Sequence, residues 1–183
     1  MKKRFQIAFC MIILALVCSV THASNGDREY SRANELFSKG KYSDAIASYQ
    51  SVLTDPSRSV SISTLHARIA DSYFRLGDYR NARAAYCRAL QEQNEFERPA
   101  TQYWIAFSTF LMGKNNEAIN EFLKIPKLYP GSGMWVSTAY YWAGRVCERM
   151  GEKKLAADYF RKAGGNGKLA QERFALEKAE KNR

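Results

Sequence analysis

The sequence predicts an all-α protein built from four tandem helix–turn–helix repeats. One glycine recurs at nearly constant intervals, with steps of 37, 36 and 38 residues, at Gly40, Gly77, Gly113 and Gly151. Apolar residues lie at helical spacing on both sides of each glycine. Similarity of a chain to itself at a fixed period indicates a stacked array of repeats rather than a single globule.

The four copies agree at four further positions. Seven residues before the glycine stands a tiny side chain: Ala33, Ala70, Ala106 and Gly144. Five residues after it comes alanine: Ala45, Ala82, Ala118 and Ala156. Nine residues after it comes an aromatic ring: Tyr49, Tyr86, Phe122 and Phe160. Twelve residues after it a small or branched apolar residue closes the unit: Val52, Ala89, Ile125 and Ala163.

These positions predict a pair of antiparallel helices in each copy. Glycine readily adopts the left-handed conformation that ends a helix. The small residues let the two helices approach to about 8–10 Å, and the aromatic ring fills the space between one pair and the next. A single pair cannot bury its own apolar face, so neighbouring pairs must stack.

The pattern resembles the tetratricopeptide repeat, whose unit is about 34 residues long. The resemblance implies a right-handed superhelix with a concave groove, although the units here are two to four residues longer and His66 replaces an expected tryptophan. The domain is expected to span residues 24–167, with repeats at about 26–59, 63–96, 99–132 and 137–167.

A narrower resemblance is to helical-repeat proteins of the bacterial cell envelope. It rests on Tyr129-Pro130-Gly131-Ser132 and on Ala139-Tyr140-Tyr141-Trp142-Ala143-Gly144. Such proteins include the periplasmic partner of the Tol–Pal system, an outer-membrane assembly lipoprotein and the superhelix attached to lytic transglycosylases. The resemblance implies a scaffold that holds other molecules in the envelope.

Residues 1–23 are predicted to be a cleaved signal peptide. A basic start at residues 2–4 is followed by an apolar run over residues 7–17 and by a small-residue cleavage site at residues 21–23. The run is shorter than the ~20 residues that a membrane-spanning helix needs. An uncleaved anchor, or a lipoprotein attached through Cys18, are the alternatives. We expect a periplasmic or secreted protein.

The chain is basic, and two interpretations of its charge stay open. The formal net charge is +10, and it falls to +7 when residues 1–23 are removed. The Lys and Arg residues are spread over most of the predicted helices rather than clustered, which together with export argues against nucleic acid as a partner. They either keep a solvated surface soluble or attract an anionic envelope component such as peptidoglycan or a membrane surface.

The helices are expected at about 28–39, 43–54, 62–76, 79–92, 100–112, 116–125, 134–150 and 153–163. Asp55-Pro56-Ser57 and Pro130-Gly131-Ser132-Gly133 mark loops between repeats. Pro126 is expected to end or kink the sixth helix. Residues 168–183 are expected to form a charged helix that caps the open end of the stack, or a charged tail.

No motif for catalysis, a metal or a cofactor is found. Cys87 and Cys147 fall in non-adjacent repeats, beyond the ~7 Å between Cα atoms that a disulfide allows, so we expect free thiols. His66 is the single histidine after residue 23, and no G-x-S-x-G motif is present. The stretch Gly164-Gly165-Asn166-Gly167-Lys168 departs from a phosphate loop, because Leu169 stands where Ser or Thr is needed. We read it as the turn that ends the eighth helix, and we predict a protein that is not an enzyme.

The resemblance also implies where a partner binds. In tetratricopeptide repeats the first helices line the concave groove through the fifth, ninth, twelfth and thirteenth positions of each unit. Carried over to this chain, the predicted groove residues are Tyr30, Asn34, Asp71, Arg75, Tyr103, Phe107, Tyr141, Arg145 and Arg149. The aromatic residues at the twelfth position are expected to pack between repeats instead: Phe37, Phe74 and Phe110.

These residues predict an aromatic floor with arginines toward the C-terminal half. Tyrosine and arginine dominate binding hot spots, and Arg145 and Arg149 share a face because they are one helical turn apart. A lysine and asparagine clamp for chaperone C-termini is not expected, because Tyr30 replaces the lysine although Asn34 matches. A solvated groove without a dedicated ligand is the alternative.

We therefore expect a non-catalytic scaffold that binds a partner peptide or protein of the cell envelope in its groove. The second hypothesis is a binder of anionic envelope glycan or lipid. The third, an enzyme, rests only on the resemblance to the superhelix of lytic transglycosylases.

Overall fold

The computed structural model describes residues 24–164. Eight helices follow one another in this part of the chain, and it contains no strand. They are α1 (Asn25–Ser38), α2 (Tyr42–Thr54), α3 (Ile62–Arg75), α4 (Tyr79–Glu92), α5 (Arg98–Leu111), α6 (Asn115–Leu128), α7 (Gly133–Arg149) and α8 (Lys153–Lys162). The predicted all-α fold of four helix–turn–helix repeats is confirmed.

The four repeat glycines end the first helix of each pair. Gly40, Gly77, Gly113 and Gly151 have positive φ angles of 74°, 78°, 79° and 83°. In each turn the glycine N–H and the N–H that follows it donate to carbonyls of the last helical turn, as in Gly40 to Phe37 (3.0 Å) and Lys41 to Leu36 (2.9 Å). This is the Schellman arrangement, which satisfies carbonyls that a helix end leaves free.

Every helix packs against the next one along the chain, and the first helices α5 and α7 also touch each other. The small residues lie where the helices come closest: Ala33, Ala70, Ala106, Ala45, Ala82 and Ala118 are all fully buried. Repeat four has Gly144 instead, because a Cβ atom there would lie 2.7 Å from Cε1 of Phe160. The repeated pattern is therefore a set of close helix–helix contacts.

Several predicted boundaries were wrong by up to three residues. Helix α1 begins at Asn25 because the Ser24 hydroxyl accepts a hydrogen bond from the Asp27 N–H (3.0 Å) and caps it. Pro126 does not end α6, which continues to Leu128. A proline in the last turn removes one N–H, but the next available bond, from the Tyr129 N–H to the Ile125 carbonyl, still forms at 2.8 Å.

The two ends of the chain contain predictions that lie outside the described residues. These are the signal peptide at residues 1–23 and the charged helix or tail at residues 168–183. The turn after α8 is described as far as Gly164, whose φ of 95° ends the helix as expected. Between residues 24 and 164, each helix is too short or too polar to cross a membrane.

Candidate binding groove

The first helices α1, α3, α5 and α7 supply all nine predicted groove residues, but the structure gives these side chains different surroundings. In the first two repeats Asn34 and Asp71 each accept a hydrogen bond from the second helix of their own repeat. The Tyr49 hydroxyl of α2 donates to Oδ1 of Asn34 (2.7 Å), and the Tyr86 hydroxyl of α4 donates to Oδ1 of Asp71 (2.7 Å). Asn34 and Asp71 therefore anchor the second helix of their repeat.

The last two repeats lack this hydrogen bond for a simple chemical reason. Their second helices have Phe122 and Phe160 in place of tyrosine, so no hydroxyl needs an acceptor. The ninth positions are accordingly Phe107 and Arg145. The sequence itself contains this signal: Asn or Asp stands at the ninth position where the second helix has tyrosine, and another residue stands there where it has phenylalanine.

Arg68 of α3 is a groove residue that the carried-over positions miss. Its guanidinium lies near Tyr30, Asp71 and Tyr49. Burial raises the pKa of Asp71 above its usual value, although the Tyr86 hydroxyl and the charges of Arg68 and Arg75 favour the ionised form. Burial likewise raises the pKa of Tyr49 to about 12. The N-terminal half of the groove is thus a polar cluster that joins α1 to α3.

The predicted aromatic floor is mostly interior. Tyr103, Phe107 and Tyr141 are 1%, 7% and 7% exposed, because they pack into a chain of rings between repeats. Phe107 contacts Trp142 edge-on at 4.7 Å between ring centroids, and Tyr103 lies 5.6 Å from Trp135. These three residues give the groove a rigid base, and the expectation of an open aromatic surface needs this correction. Tyr30 alone among the four keeps an appreciable exposed face.

The phenylalanines at the twelfth position pack between repeats, as expected. Phe74 lies 5.1 Å from Trp104 and 6.1 Å from Phe107 of the next first helix, and Phe110 lies 6.1 Å from Trp142. Contacts of this kind hold the first helices side by side.

Two of these rings also carry an arginine from the following repeat. The Arg75 guanidinium lies 5.9 Å from the Phe37 ring centroid, and that of Arg149 lies 5.4 Å from the Phe110 ring centroid. Arg145 is exposed but differently placed. Its Nε lies 3.2 Å from Oε2 of Glu148.

A buried carboxylate lies away from the groove, where α4, α5 and α6 meet. Glu121 is 8% exposed, and its Oε2 accepts from Gln102 (2.9 Å) and lies 2.7 Å from Nζ of Lys124. Its Oε1 accepts from Nη2 of Arg83 (3.2 Å), which also contacts the exposed Glu117 (3.2 Å). No sequence motif points to this cluster. It ties repeat two to repeat three.

Reactive chemistry is sparse in the described part of the chain. Cys87 and Cys147 are free thiols, as predicted, and burial raises the pKa of both. Burial lowers the pKa of His66, whose Nδ1 has no hydrogen-bond partner. Residues 24–164 contain no group of three His, Cys, Asp or Glu side chains that could hold a metal ion.

A second concave surface lies at the loops between repeats. It is a cleft of about 610 Å³ between the α4–α5 and α6–α7 connections. Phe96, which is 94% exposed, and Leu128, which is 55% exposed, stand on it. We call it the loop cleft.

Stacked helix pairs with an inner row of first helices define a helical-repeat scaffold. A family model described as tetratricopeptide repeat matches residues 30–92 and 67–132, and a second model of the same description matches residues 137–163. These matches cover more than half of the chain, which therefore belongs to the tetratricopeptide repeat family.

Solved structures share the fold at low sequence identity. A crystal structure of MamA is similar with a TM-score of 0.63 and 22% identity, over 96% of this chain and 95% of that one. The Rap conjugation gene regulator of plasmid pLS20, solved with the Phr* peptide, has a TM-score of 0.58 and 18% identity, over 79% of this chain and 46% of its own. The second such domain of human RPAP3, solved with an HSP70 peptide, has a TM-score of 0.50 and 24% identity, over 64% of this chain and 91% of its own. A search of curated proteins found no match.

Proposed function

We propose that this chain is a non-catalytic scaffold that is exported to the periplasm or cell envelope and binds a partner peptide or protein in its groove. The observation that carries the proposal is a rigid base of buried rings with exposed arginines on the same row of helices. Tyr103, Phe107 and Tyr141 are buried and fixed, whereas the exposed Arg145 and Arg149 stand on the same row of first helices. A preorganised surface with arginine side chains is typical of binding hot spots.

The peptide complexes of similar folds support this class of partner. The Rap regulator was solved with the Phr* peptide, and the RPAP3 domain with an HSP70 peptide. Export is supported by the sequence of residues 1–23, with its basic start, apolar run and small-residue cleavage site.

The test is capture of a partner from the native envelope fraction by the tagged protein, read by mass spectrometry. The variant Arg145→Ala/Arg149→Ala removes two exposed groove side chains and is expected to fold normally and to lose the partner. The control Arg80→Ala/Arg161→Ala removes the same charge from the second helices and is expected to retain it. The intact mass of the exported protein is expected to correspond to a chain that begins at Ser24.

The outcome that contradicts the groove is equally clear. If Arg145→Ala/Arg149→Ala captures the same protein as the wild type, while Phe96→Ser loses it, the binding surface is the loop cleft and the groove assignment is wrong.

The net positive charge favours a second candidate, a binder of anionic envelope glycan or lipid. It predicts that the protein pellets with purified peptidoglycan sacculi or anionic vesicles at low salt and is released as salt rises. Absence of pelleting at low salt would remove this candidate.

A further inference from the structure

The groove repeats one cation–ring arrangement at equivalent positions, two repeats apart. Arg75 of α3 and Arg149 of α7 both occupy the thirteenth position of their units. Each guanidinium lies on the twelfth-position phenylalanine of the preceding repeat, Phe37 at 5.9 Å and Phe110 at 5.4 Å. In the repeat between them the thirteenth position is Leu111. The groove thus has two guanidinium groups that rest on phenylalanine rings, with an apolar side chain at the equivalent position of the repeat between them.

Both guanidinium groups are held but not neutralised. A ring face attracts a cation and restrains it without removing its charge. Among residues 24–164, neither Arg75 nor Arg149 forms an ion pair with a carboxylate. Arg145 differs, because Glu148 lies 3.2 Å from it.

The nearest carboxylate to Arg75 among the groove residues does not cancel its charge. Asp71 is partly buried, accepts the Tyr86 hydroxyl at 2.7 Å and lies beside a second arginine, Arg68. The groove therefore keeps positive charge at Arg75 and Arg149 that no carboxylate of the groove residues neutralises.

We propose that the groove selects an extended acidic peptide, whose carboxylates are bound by Arg75 and Arg149; this rests on the proposed function of the groove. A guanidinium offers parallel N–H donors that match both oxygens of a carboxylate. Two packing steps between neighbouring first helices, from α3 through α5 to α7, span roughly 16–20 Å at about 8–10 Å each. An extended chain advances about 3.3 Å per residue, so the two acidic positions are about five or six residues apart.

The test uses fluorescence anisotropy with the purified exported chain and a fluorescein-labelled, otherwise uncharged peptide that carries two Glu-Glu pairs about six residues apart. Two comparison peptides have Gln-Gln pairs, or the same Glu-Glu pairs next to each other. Arg75→Gln and Arg149→Gln are each expected to weaken binding roughly tenfold, since each loses hydrogen bonds to a charged group. Arg80→Gln/Arg161→Gln is the control of equal charge, and thermal unfolding checks the fold of all variants.

The outcomes separate this inference from the scaffold function. The proposal is supported if the wild type binds the spaced acidic peptide more strongly than both comparison peptides. This preference must be lost in Arg75→Gln and Arg149→Gln and kept in Arg80→Gln/Arg161→Gln. Equal binding of the Glu and Gln peptides overturns it, as does an equal loss in Arg80→Gln/Arg161→Gln. If a protein partner is still captured from envelope extract through Arg145 and Arg149 in that case, the scaffold function stands without the preference for acidic peptides.

Discussion

Replacement of Glu121 by leucine tests whether a buried carboxylate stabilises the contact between repeats two and three. Glu121 accepts hydrogen bonds from Gln102 at 2.9 Å and from Arg83 at 3.2 Å, and contacts Lys124 at 2.7 Å. Leucine is similar in size and removes all three interactions without opening a large cavity. The variant Glu121→Leu is expected to unfold at lower urea concentration.

The magnitude follows from which partners are left unpaired. Gln102 is 3% exposed and keeps only its 3.2 Å bond to the Glu121 backbone carbonyl, so one buried N–H loses its acceptor. An unpaired buried donor costs about 1–3 kcal/mol. Arg83 adds little because it retains Glu117 and Thr109. The leucine gains some apolar burial, so the expected net loss is about 2 kcal/mol.

Urea unfolding followed by far-UV circular dichroism measures this loss, provided that the slope of the transition is unchanged. Glu117→Gln is the matched control, because its carboxylate lies at the same 3.2 Å from Arg83 but is exposed, and no shift is expected. The double variant Gln102→Leu/Glu121→Leu is expected to recover most of the loss, since no donor is then left unpaired. An unchanged or higher urea midpoint for Glu121→Leu alone would refute the reasoning. The desolvation penalty of the buried carboxylate would then be at least as large as the stabilisation from its hydrogen bonds and ion pairs.

Two further predictions concern α1 and α3. Gly26→Ala places a Cβ atom 2.9 Å from the Arg58 Cα and is expected to lower the free energy of unfolding in urea by about 1–3 kcal/mol. The control Gly131→Ala, whose Cβ atom would have no atom within 4 Å, is expected to leave the urea midpoint unchanged. Equal midpoints for the two variants would contradict the close contact at Gly26. Asp71→Asn keeps an acceptor for Tyr86 and is expected to raise stability at neutral pH. The pKa of Asp71 in the folded protein is raised above 3.8, so the wild type loses stability as pH rises through the folded pKa. At about pH 3 Asp71 is protonated in both the folded and the unfolded state, and the extra stability of the asparagine variant is expected to vanish. An extra stability that is independent of pH would show that it does not come from the ionisation of Asp71.

The fold could be predicted from the sequence because its determinants are local. Every copy has glycine where the turn needs a positive φ and alanine where two helices pack closely, as at Gly77 and Ala82. Helix ends were less predictable, because they depend on single hydrogen bonds. The Ser24 cap and the tolerated Pro126 are both of this kind.

The groove was predicted only by position, and position does not determine burial. Tyr30 and Tyr103 occupy the same place in their units, yet Tyr103 is 1% exposed while Tyr30 is half-buried. The difference arises from Trp104 and Trp135, large rings that cover Tyr103. A register carried over from a family lacks this information, because it depends on the side chains of the same helix and of the following repeat.

The hydrogen bond between the two helices of a repeat limits which helices can be exchanged. Repeats one and two have the same hydrogen bond, Tyr49 with Asn34 and Tyr86 with Asp71, so a chimera that exchanges their second helices keeps an acceptor for the transferred tyrosine hydroxyl. A second helix moved from repeat two into repeat three would place its hydroxyl against Phe107 and leave it without that acceptor. By this criterion a second helix that carries the tyrosine fits only repeats one and two, which limits how such a chain can lengthen by internal duplication.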